Sequence, residues 1–368
     1  MASKRVIVSV TNDLSTDNRV DKVCRSIQAT GWEVLLVGRQ LSDSLPLQRS
    51  YATKRMRLWF RRGALFYAEY NLRLFFLLLF SRADVFHAND LDTLLANGLA
   101  ARIRRKKLVY DSHEYFIGTP EIAHKPLVKA VWRWVEKRFF HQPERVFTVN
   151  ASIAALYEKE YGRKLLVMRN IPEKGIELPP AKRSDLGLPD DRFLIILQGS
   201  GINMHRGSEE MLEAMRFLDD SYLWVIVGNG DVVPALKQRT EELGLNHRVL
   251  FVGKKPYAEM MRYTQVADLG LTLDKATNMN YLYSLPNKIF DYFKAGIPVL
   301  ASDLPEIRNI IEQYDTGWIF PNHDPKLIAD TIAQIRQSSD YAQKKTNTRR
   351  AAEELCWENE VVELKAYY

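Results

Sequence analysis

Within residues 284–302, SLPNKIFDYFKAGIPVLAS, a lysine and a carboxylate, Lys288 and Asp291, stand three positions apart at the start of an apolar-periodic run. Ile289, Phe290, Phe293 and Ala295 recur at helical spacing, and Pro286 suits the first turn of that helix. Gly296 and Pro298 end it before a short β-run at 299–301. A helix start offers unpaired N–H groups, here around Leu285, Pro286 and Asn287, together with the positive end of the helix dipole. With Lys288 beside them these groups suit a phosphate, and Asp291 one turn on suits vicinal hydroxyls. That pairing is expected of a nucleoside diphosphate carrying a sugar. The competing reading is an ordinary βα unit with a surface lysine and aspartate.

Other residues point the same way or close off alternatives. Arg206-Gly207 precedes the helical pattern SEEMLEAMRFL, and an arginine beside a glycine at a helix start is placed for a phosphate. A solvated surface arginine is the alternative. Gly199-Ser200-Gly201 and Gly228-Asn229-Gly230 follow β-runs, but Val233 holds the place of a third glycine after Gly230, and Met204 and His205 hold it after Gly201. A dinucleotide fingerprint is therefore disfavoured, and without Gly-x4-Gly-Lys-Ser/Thr a P-loop is excluded. Lys254 and Lys255 follow Gly253 at another strand end. His113 follows the β-run at 108–110, where a cleft residue belongs, but Ile117 stands where a zinc protease needs its second histidine. Asp90 and Asp92 could chelate a metal, yet Asp90 sits where a helix cap is expected. No metal site is assigned.

The elements that must hold these residues alternate between strand and helix. β-runs at 5–10, 33–38, 84–88, 108–110, 145–149 and 165–168 are separated mostly by helical patterns, one of them at 18–30. A second series follows at 193–197, 222–227, 249–252, 269–273, 299–301 and 318–320. Alternation at this spacing predicts βαβ units and parallel sheets, which bind ligands at the carboxyl ends of their strands. Residues 173–191, rich in proline and charge, read as a linker. The fold class is α/β: two Rossmann-like, doubly wound parallel-sheet domains facing each other across a cleft. The N-terminal domain is expected at 1–172 and the C-terminal domain at 192–349, with a closing helix at about 350–368.

A chain of 368 residues with 46% hydrophobic and 26% charged residues has a globular composition and is too long for a single ordinary core. Two cysteines, Cys24 and Cys356, make neither a disulfide framework nor a metal spacing, so a cytoplasmic setting is expected. The first apolar run is too short for a signal peptide. The net charge of +7 is uneven: residues 1–165 hold 28 Lys and Arg against 16 Asp and Glu, and the remainder is mildly acidic. Within residues 58–82 the longest apolar run, 74–80, is far short of the ~20 residues of a membrane span. Arg57, Arg61, Arg62, Arg73 and Arg82 flank or interrupt its aromatic and leucine residues. This segment reads either as an interfacial helix on anionic lipid, joined by the basic cluster at 102–107, or as a core helix with snorkelling arginines.

Taken together, these residues resemble the retaining GT-B glycosyltransferases of family four (glycosyl transferases group 1), of the kind that builds bacterial cell-surface polysaccharides. The likeness covers nearly all of the chain, including the crossing Met168-Arg169-Asn170-Ile171-Pro172 and a closing helix with Trp357 that in such folds packs back on the N-terminal domain. In the family, a Lys/Arg-Gly pair, a strand with Gly-x-Gly, and a helix followed by Gly-x-Pro-Val form the donor site. The corresponding segments are Arg206-Gly207, 225–230 and 291–299. Two departures stand out. Of the family's two glutamates with seven residues between them, the second is the shorter Asp291 and the first is Tyr283. The usual arginine six residues before the Lys/Arg-Gly pair is Ser200, and Lys288, in a Pro-Asn-Lys pattern similar to that of one family branch, is expected to replace its charge.

The resemblance implies metal-independent, retaining transfer of a sugar from a UDP- or GDP-sugar to a glycan or lipid-linked saccharide, with no cofactor beyond that donor substrate. His113, Arg206 and Lys288 would be catalytic. Gly201, Gly228, Gly230, Lys254, Leu285, Pro286, Asn287 and Asp291 would bind the donor. Asn12, Asp17, Asn18, Arg19, Asn89 and Asp90 would face the acceptor, the first four in a flexible loop. The implied setting is cytoplasmic, with peripheral contact to the inner face of an anionic membrane and no nucleic acid. The alternatives are a nucleotide-sugar epimerase or hydrolase of the same shape, and a non-catalytic membrane scaffold.

Overall fold

The computed structural model describes residues 3–119, 122, 124–175 and 178–368. They form two compact units, one made of Met1–Asn170 with Glu360–Tyr368 and the other of Ile171–Asn359. The first holds a seven-stranded sheet in the order β3-β2-β1-β4-β5-β6-β7. Its strands are β1 (Arg5–Asp13), β2 (Glu33–Gln40), β3 (Ala52–Arg57), β4 (Val85–Asn89), β5 (Lys107–Ser112), β6 (Arg145–Thr148) and β7 (Leu166–Val167). All pair in parallel, with Val8 opposite Leu36 on one side and His87 on the other. Residues Val6–Val10 are fully buried, as a central parallel strand covered on both faces requires. Every anticipated β-run is a strand, and β3 is an addition. Its sequence, ATKRMR, buries only Met56 and carries the cations that keep an exposed sheet edge from pairing with other chains.

The chain steps outward from β1 to β3 and then returns to β4. Right-handed crossovers therefore put the helix Asn18–Gln28 on one face of the sheet and the helices Gly63–Phe80, Leu91–Arg104 and Pro126–Phe139 on the other. These three pack side by side. Arg104 Nη1 donates to the Leu78 carbonyl at 2.9 Å, and Gly98 lies so close to Phe139 that a Cβ there would sit 2.4 Å from a ring carbon. Tyr67 meets Trp132 edge-on at 5.1 Å. By length and composition alone Gly63–Phe80 is long and apolar enough to cross a membrane. Phe66, Tyr70, Leu74 and Leu78 form the stripe that it buries in the unit.

The second unit holds a six-stranded sheet in the order β10-β9-β8-β11-β12-β13. Its strands are β8 (Phe193–Gly199), β9 (Tyr222–Gly228), β10 (Val249–Phe251), β11 (Leu269–Thr272), β12 (Val299–Ser302) and β13 (Gly317–Phe320), again all parallel. Alternate residues of β8 feed opposite cores. Ile195 and Leu197 join Trp224 and Leu300 on one side, and Leu194 and Ile196 join Ile289 and Phe293 on the other.

The units divide the chain differently from the sequence expectation. The first stops at Asn170, and the described part of the expected linker belongs to the second, where Arg183 pairs with Asp268 at 2.8 Å (residues 176 and 177 lie outside the described residues). The helix Tyr341–Glu354 is also in the second unit, because Ala351 and Leu355 are part of its core. Trp357 belongs there too, its N–H donating to the Pro172 carbonyl at 2.9 Å, so the return to the first unit begins at Glu360 rather than near 350.

Candidate active site

In the second unit the direction of winding reverses between β8 and β11, which makes the carboxyl ends of those strands the natural ligand crevice. Backbone builds its floor. Asn229 N donates to the Gly199 carbonyl at 3.2 Å, and Ile202 N donates to the Asn229 carbonyl at 3.1 Å. A Cβ at Gly228 (φ 155°) would lie 1.8 Å from the Gly199 carbonyl oxygen, and one at Gly230 would lie 1.9 Å from that of Ile202. Gly228 and Gly230 are thus glycines so that two strand-end loops can touch. Gly201 lies in the first of these loops. Gly207 (φ 73°) plays the same part against Leu273, whose carbonyl oxygen a Cβ would approach to 2.3 Å.

That close approach brings Arg206 to Asp274. Asp274 follows β11, is fully buried, and binds Arg206 Nη1 through Oδ1 at 2.6 Å while accepting from Thr272 Oγ1 through Oδ2 at 3.1 Å. The Arg206 guanidinium also lies over the Tyr281 ring, 4.6 Å from its centroid. Burial works against the arginine's charge, but Asp274 and Tyr281 more than offset it and raise its pKa. Lys288 is half-buried beside the same groups. Burial pulls its pKa below the usual lysine value, Asp274 opposes that, and Arg206 pushes it further down. Arg206 is thus paired with Asp274, and Lys288 lies within electrostatic reach of both.

The segment before Lys288 differs in detail from expectation. The helix is Lys288–Ala295, so Pro286 precedes it instead of opening it, and its carbonyl accepts from Ile289 N at 3.1 Å. Asn287, exposed, is the flanking residue and caps no N–H with its side chain. Among the described residues the N–H groups of Leu285, Asn287 and Lys288 meet no backbone carbonyl, which leaves three donors beside two cations. Asp291 is buried one turn on, accepting from Gln198 Nε2 at 3.1 Å and from Tyr257 OH at 2.9 Å. These bonds fix its carboxylate and push the Tyr257 pKa up, after burial has already done so. Tyr283 is half-buried at the end of the short helix Met279–Leu282. Lys254 is exposed after β10, the outer strand two places from β8.

In the first unit the reversal lies between β1 and β4, and a charged cluster occupies the strand ends beside it. His113 Nδ1 lies 3.1 Å from Asp90 Oδ2, and its Nε2 lies 3.3 Å from Asp111 Oδ2. The His113 N–H donates to Asp90 Oδ1 at 2.8 Å. Asp90 stands at the helix start as expected, but its side chain caps nothing. Its backbone, at φ 58° and ψ 163°, turns the carboxylate to His113 instead. Asp111 is fully buried, and Arg19 grips it from the other side through Nη2 at 2.8 Å while Nη1 donates to the Met168 carbonyl at 2.9 Å. Burial opposes charge on both partners. Even so, Arg19 and His113 hold the Asp111 carboxyl well below its usual range, and Asp90 and Asp111 push His113 up to about 10.

Several residues assigned to the acceptor have other work here. Arg19 is buried in this ion pair, so it is not part of a flexible loop. Asp17 caps the helix Asn18–Gln28 by accepting from Val20 N at 3.0 Å, and it also holds Asn12 Nδ2 at 2.9 Å. Asn89 is buried, donating to the Ser9 carbonyl at 3.1 Å. Asn12 and Asn18 are exposed. Asp92, buried next to Asp90, accepts from Thr11 Oγ1 at 2.5 Å, and burial together with Asp90 pushes its pKa up to about 7. Sequence reasoning assigned no role to Asp111, Asp274 or Tyr281. The first two are carboxylates at the carboxyl ends of apolar strands, a signal that was present. Tyr281 carries none.

Two doubly wound parallel sheets, each with its charged groups at the strand switch point, define a GT-B-type α/β protein. Residues 17–170 match the family described as Glycosyltransferase Family 4, and residues 180–354 match Glycosyl transferases group 1. Two glycosyltransferase-family models thus match successive parts of the chain. It is similar to the amylovoran biosynthesis glycosyltransferase AmsK of Erwinia amylovora, 27% identical over 173 residues that cover 46% of this chain and 42% of AmsK. The chain thus spans well under two thirds of the length of that curated relative. In three dimensions it resembles sucrose-phosphate synthase from Thermosynechococcus elongatus, with a TM-score of 0.80, 16% identity and coverage of 99% and 98% of the two chains. It also resembles Anabaena Alr3699/HepE in complex with UDP-glucose, with a TM-score of 0.75, 18% identity and coverage of 99% and 98%.

Proposed function

We propose that the protein is a retaining glycosyltransferase that moves a sugar from a nucleoside diphosphate sugar to a glycan or a lipid-linked saccharide without a metal. The observation that carries this reading is the ion pair of Arg206 with buried Asp274 at the β8/β11 switch point, with Lys288 in electrostatic reach of both and three backbone N–H groups that have no carbonyl partner at the start of its helix. As the bond from the anomeric carbon to the diphosphate oxygen breaks, its electron pair stays with the phosphate. On this reading Arg206, Lys288 and the three N–H donors meet that oxygen, which favours the charged transition state over the ground state. Asp291, held still by Gln198 and Tyr257 one helical turn on, would take the ribose hydroxyls. Retention follows a front-face route, in which the departing phosphate takes the acceptor proton and the acceptor oxygen bonds to the anomeric carbon on the same side. His113 serves as a fixed cation near the acceptor. With both ring nitrogens facing carboxylates it is no general base.

The setting that fits is cytoplasmic, with the protein peripheral to a membrane that carries the acceptor. UDP is the first base to test, since Alr3699/HepE was solved with UDP-glucose. The deciding experiment incubates the protein with a panel of UDP- and GDP-sugars, with and without lipid extract, and reads products by mass spectrometry and anomeric configuration by NMR. The expected result is acceptor-dependent release of nucleotide and an α-linked product from an α-linked donor. Donor epimerised or hydrolysed at full rate without acceptor would make the protein an epimerase or hydrolase. Absence of nucleotide binding would leave the non-catalytic scaffold.

A further inference from the structure

The turn that carries Asp274 is held from several sides. Thr272 and Arg206 hold the Asp274 carboxylate. Lys275, next in the chain, donates its N–H to the His205 carbonyl at 2.9 Å and pairs with Glu210. A further hold comes from His323, a half-buried residue three positions beyond β13. Its Nε2 lies 2.8 Å from the Leu273 carbonyl oxygen and 3.3 Å from Ser302 Oγ. One imidazole thus ties together the carboxyl ends of the neighbouring strands β11, β12 and β13. The ring is itself fixed. Phe320 meets it edge-on with the centroids 5.2 Å apart, and Asp324, the next residue, caps the helix Pro325–Gln337 by accepting from Leu327 N at 2.8 Å.

We infer that His323 is a positioning residue for the donor site, setting Asp274 and Arg206 through the Leu273 carbonyl; its effect on turnover rests on the transferase reading. Two features make that carbonyl the point of leverage. It shares a peptide plane with the Asp274 N–H, so its orientation fixes where the Asp274 side chain starts from. It is also the oxygen that a Cβ at Gly207 would approach to 2.3 Å, so it lies against the turn that carries Arg206. A carbonyl only accepts, so Nε2 must carry the proton, and the neutral ring is held as the Nε2–H tautomer. Without this bond a buried carbonyl loses its donor. The peptide is then free to rotate and draw Asp274 away from Arg206 and Lys288.

The test compares, in the full chain, His323→Leu, which removes the donor, with His323→Gln, whose amide nitrogen can reach the same carbonyl. Lysine side-chain NMR reads the Lys288 titration, with Lys288→Arg to assign the signal. Lys288 should titrate lower in His323→Leu than in wild type, because Asp274 is the anion that supports its charge, and near the wild-type value in His323→Gln. With a UDP-sugar donor, His323→Leu should lower kcat at least ~10-fold at unchanged acceptor KM, and His323→Gln should recover most of that loss. Nitrogen NMR of the neutral wild-type imidazole should find the proton on Nε2. Should His323→Leu fail to fold, the wild-type tautomer and the His323→Gln titration carry the test. A neutral ring protonated on Nδ1, a Lys288 titration unmoved in folded His323→Leu, or one displaced in His323→Gln would overturn the inference. A titration that moves as expected in a protein that transfers no sugar would uphold the positioning and sink the transferase reading instead.

Discussion

Replacing Asp90 with asparagine should bring His113 back towards an ordinary titration. In the wild type the ring faces two carboxylates and its pKa is pushed from 6.5 up to about 10. At ~1.36 kcal/mol per pH unit that difference is worth on the order of 5 kcal/mol of preference for the imidazolium in the folded state. Burial and Arg19 oppose the charge, Asp90 and Asp111 support it, and Asp111 is already shared with Arg19. Asparagine tolerates the positive φ at position 90 and can still accept from the His113 N–H, so the change is chiefly one of charge. The His113 pKa should drop by roughly 1–3 units. NMR titration of the ring Cε1 protons reads it directly. The linkage follows in sign: a folded pKa above the unfolded value adds stability that is complete below about pH 6.5 and disappears as pH rises through about 10. The unfolding free energy of wild type minus that of the variant should therefore be greatest near pH 6 and shrink towards pH 10. A wild-type His113 that titrates near 6.5, or a difference that stays flat over that range, would refute the reasoning.

Arg206→Ala and Lys288→Ala should each lower kcat at least ~100-fold in initial-rate assays with saturating donor, and Arg206→Lys should not restore it, because an ammonium cannot span Asp274 and the Tyr281 face. Asp274→Asn removes the one anion supporting the Lys288 charge, so its pKa falls further and UDP affinity should be lost at lower pH than in the wild type, read by calorimetry across pH. Gly228→Ala places a Cβ 1.8 Å from the Gly199 carbonyl oxygen at φ 155°, and should cost several kcal/mol (~3 or more) in denaturant unfolding.

Much of this architecture was readable because central parallel strands are continuous apolar runs, as in the fully buried Val6–Val10 of β1. β3 was not, since an edge strand that buries only Met56 has no such run. The limits of the units were misplaced for a related reason. Proline and charge at 173–191 mimic a linker, while the packing of Ala351 and Leu355 is visible only in three dimensions. At the site, Arg206 and Lys288 could be picked out because cations next to helix starts have a local signature. What holds them does not. Asp274 lies 68 residues from Arg206, and Asp111 lies 92 from Arg19, so their pairing is a product of sheet order. On the acceptor side several polar residues have a nearer task that the sequence does not show, as with Asp17 at its helix cap.

The trio of Arg206, Lys288 and Asp274 has a consequence for turnover. With two positive members and one negative, it leaves a single surplus charge to meet whatever arrives. A sugar-linked diphosphate brings less negative charge than the free nucleotide left once the sugar has gone. On the proposed reaction the grip therefore tightens as the bond parts and stays tight afterwards. Departure of the spent nucleotide, rather than cleavage, becomes the slow event, and the cell's pool of that nucleotide becomes the enzyme's natural brake.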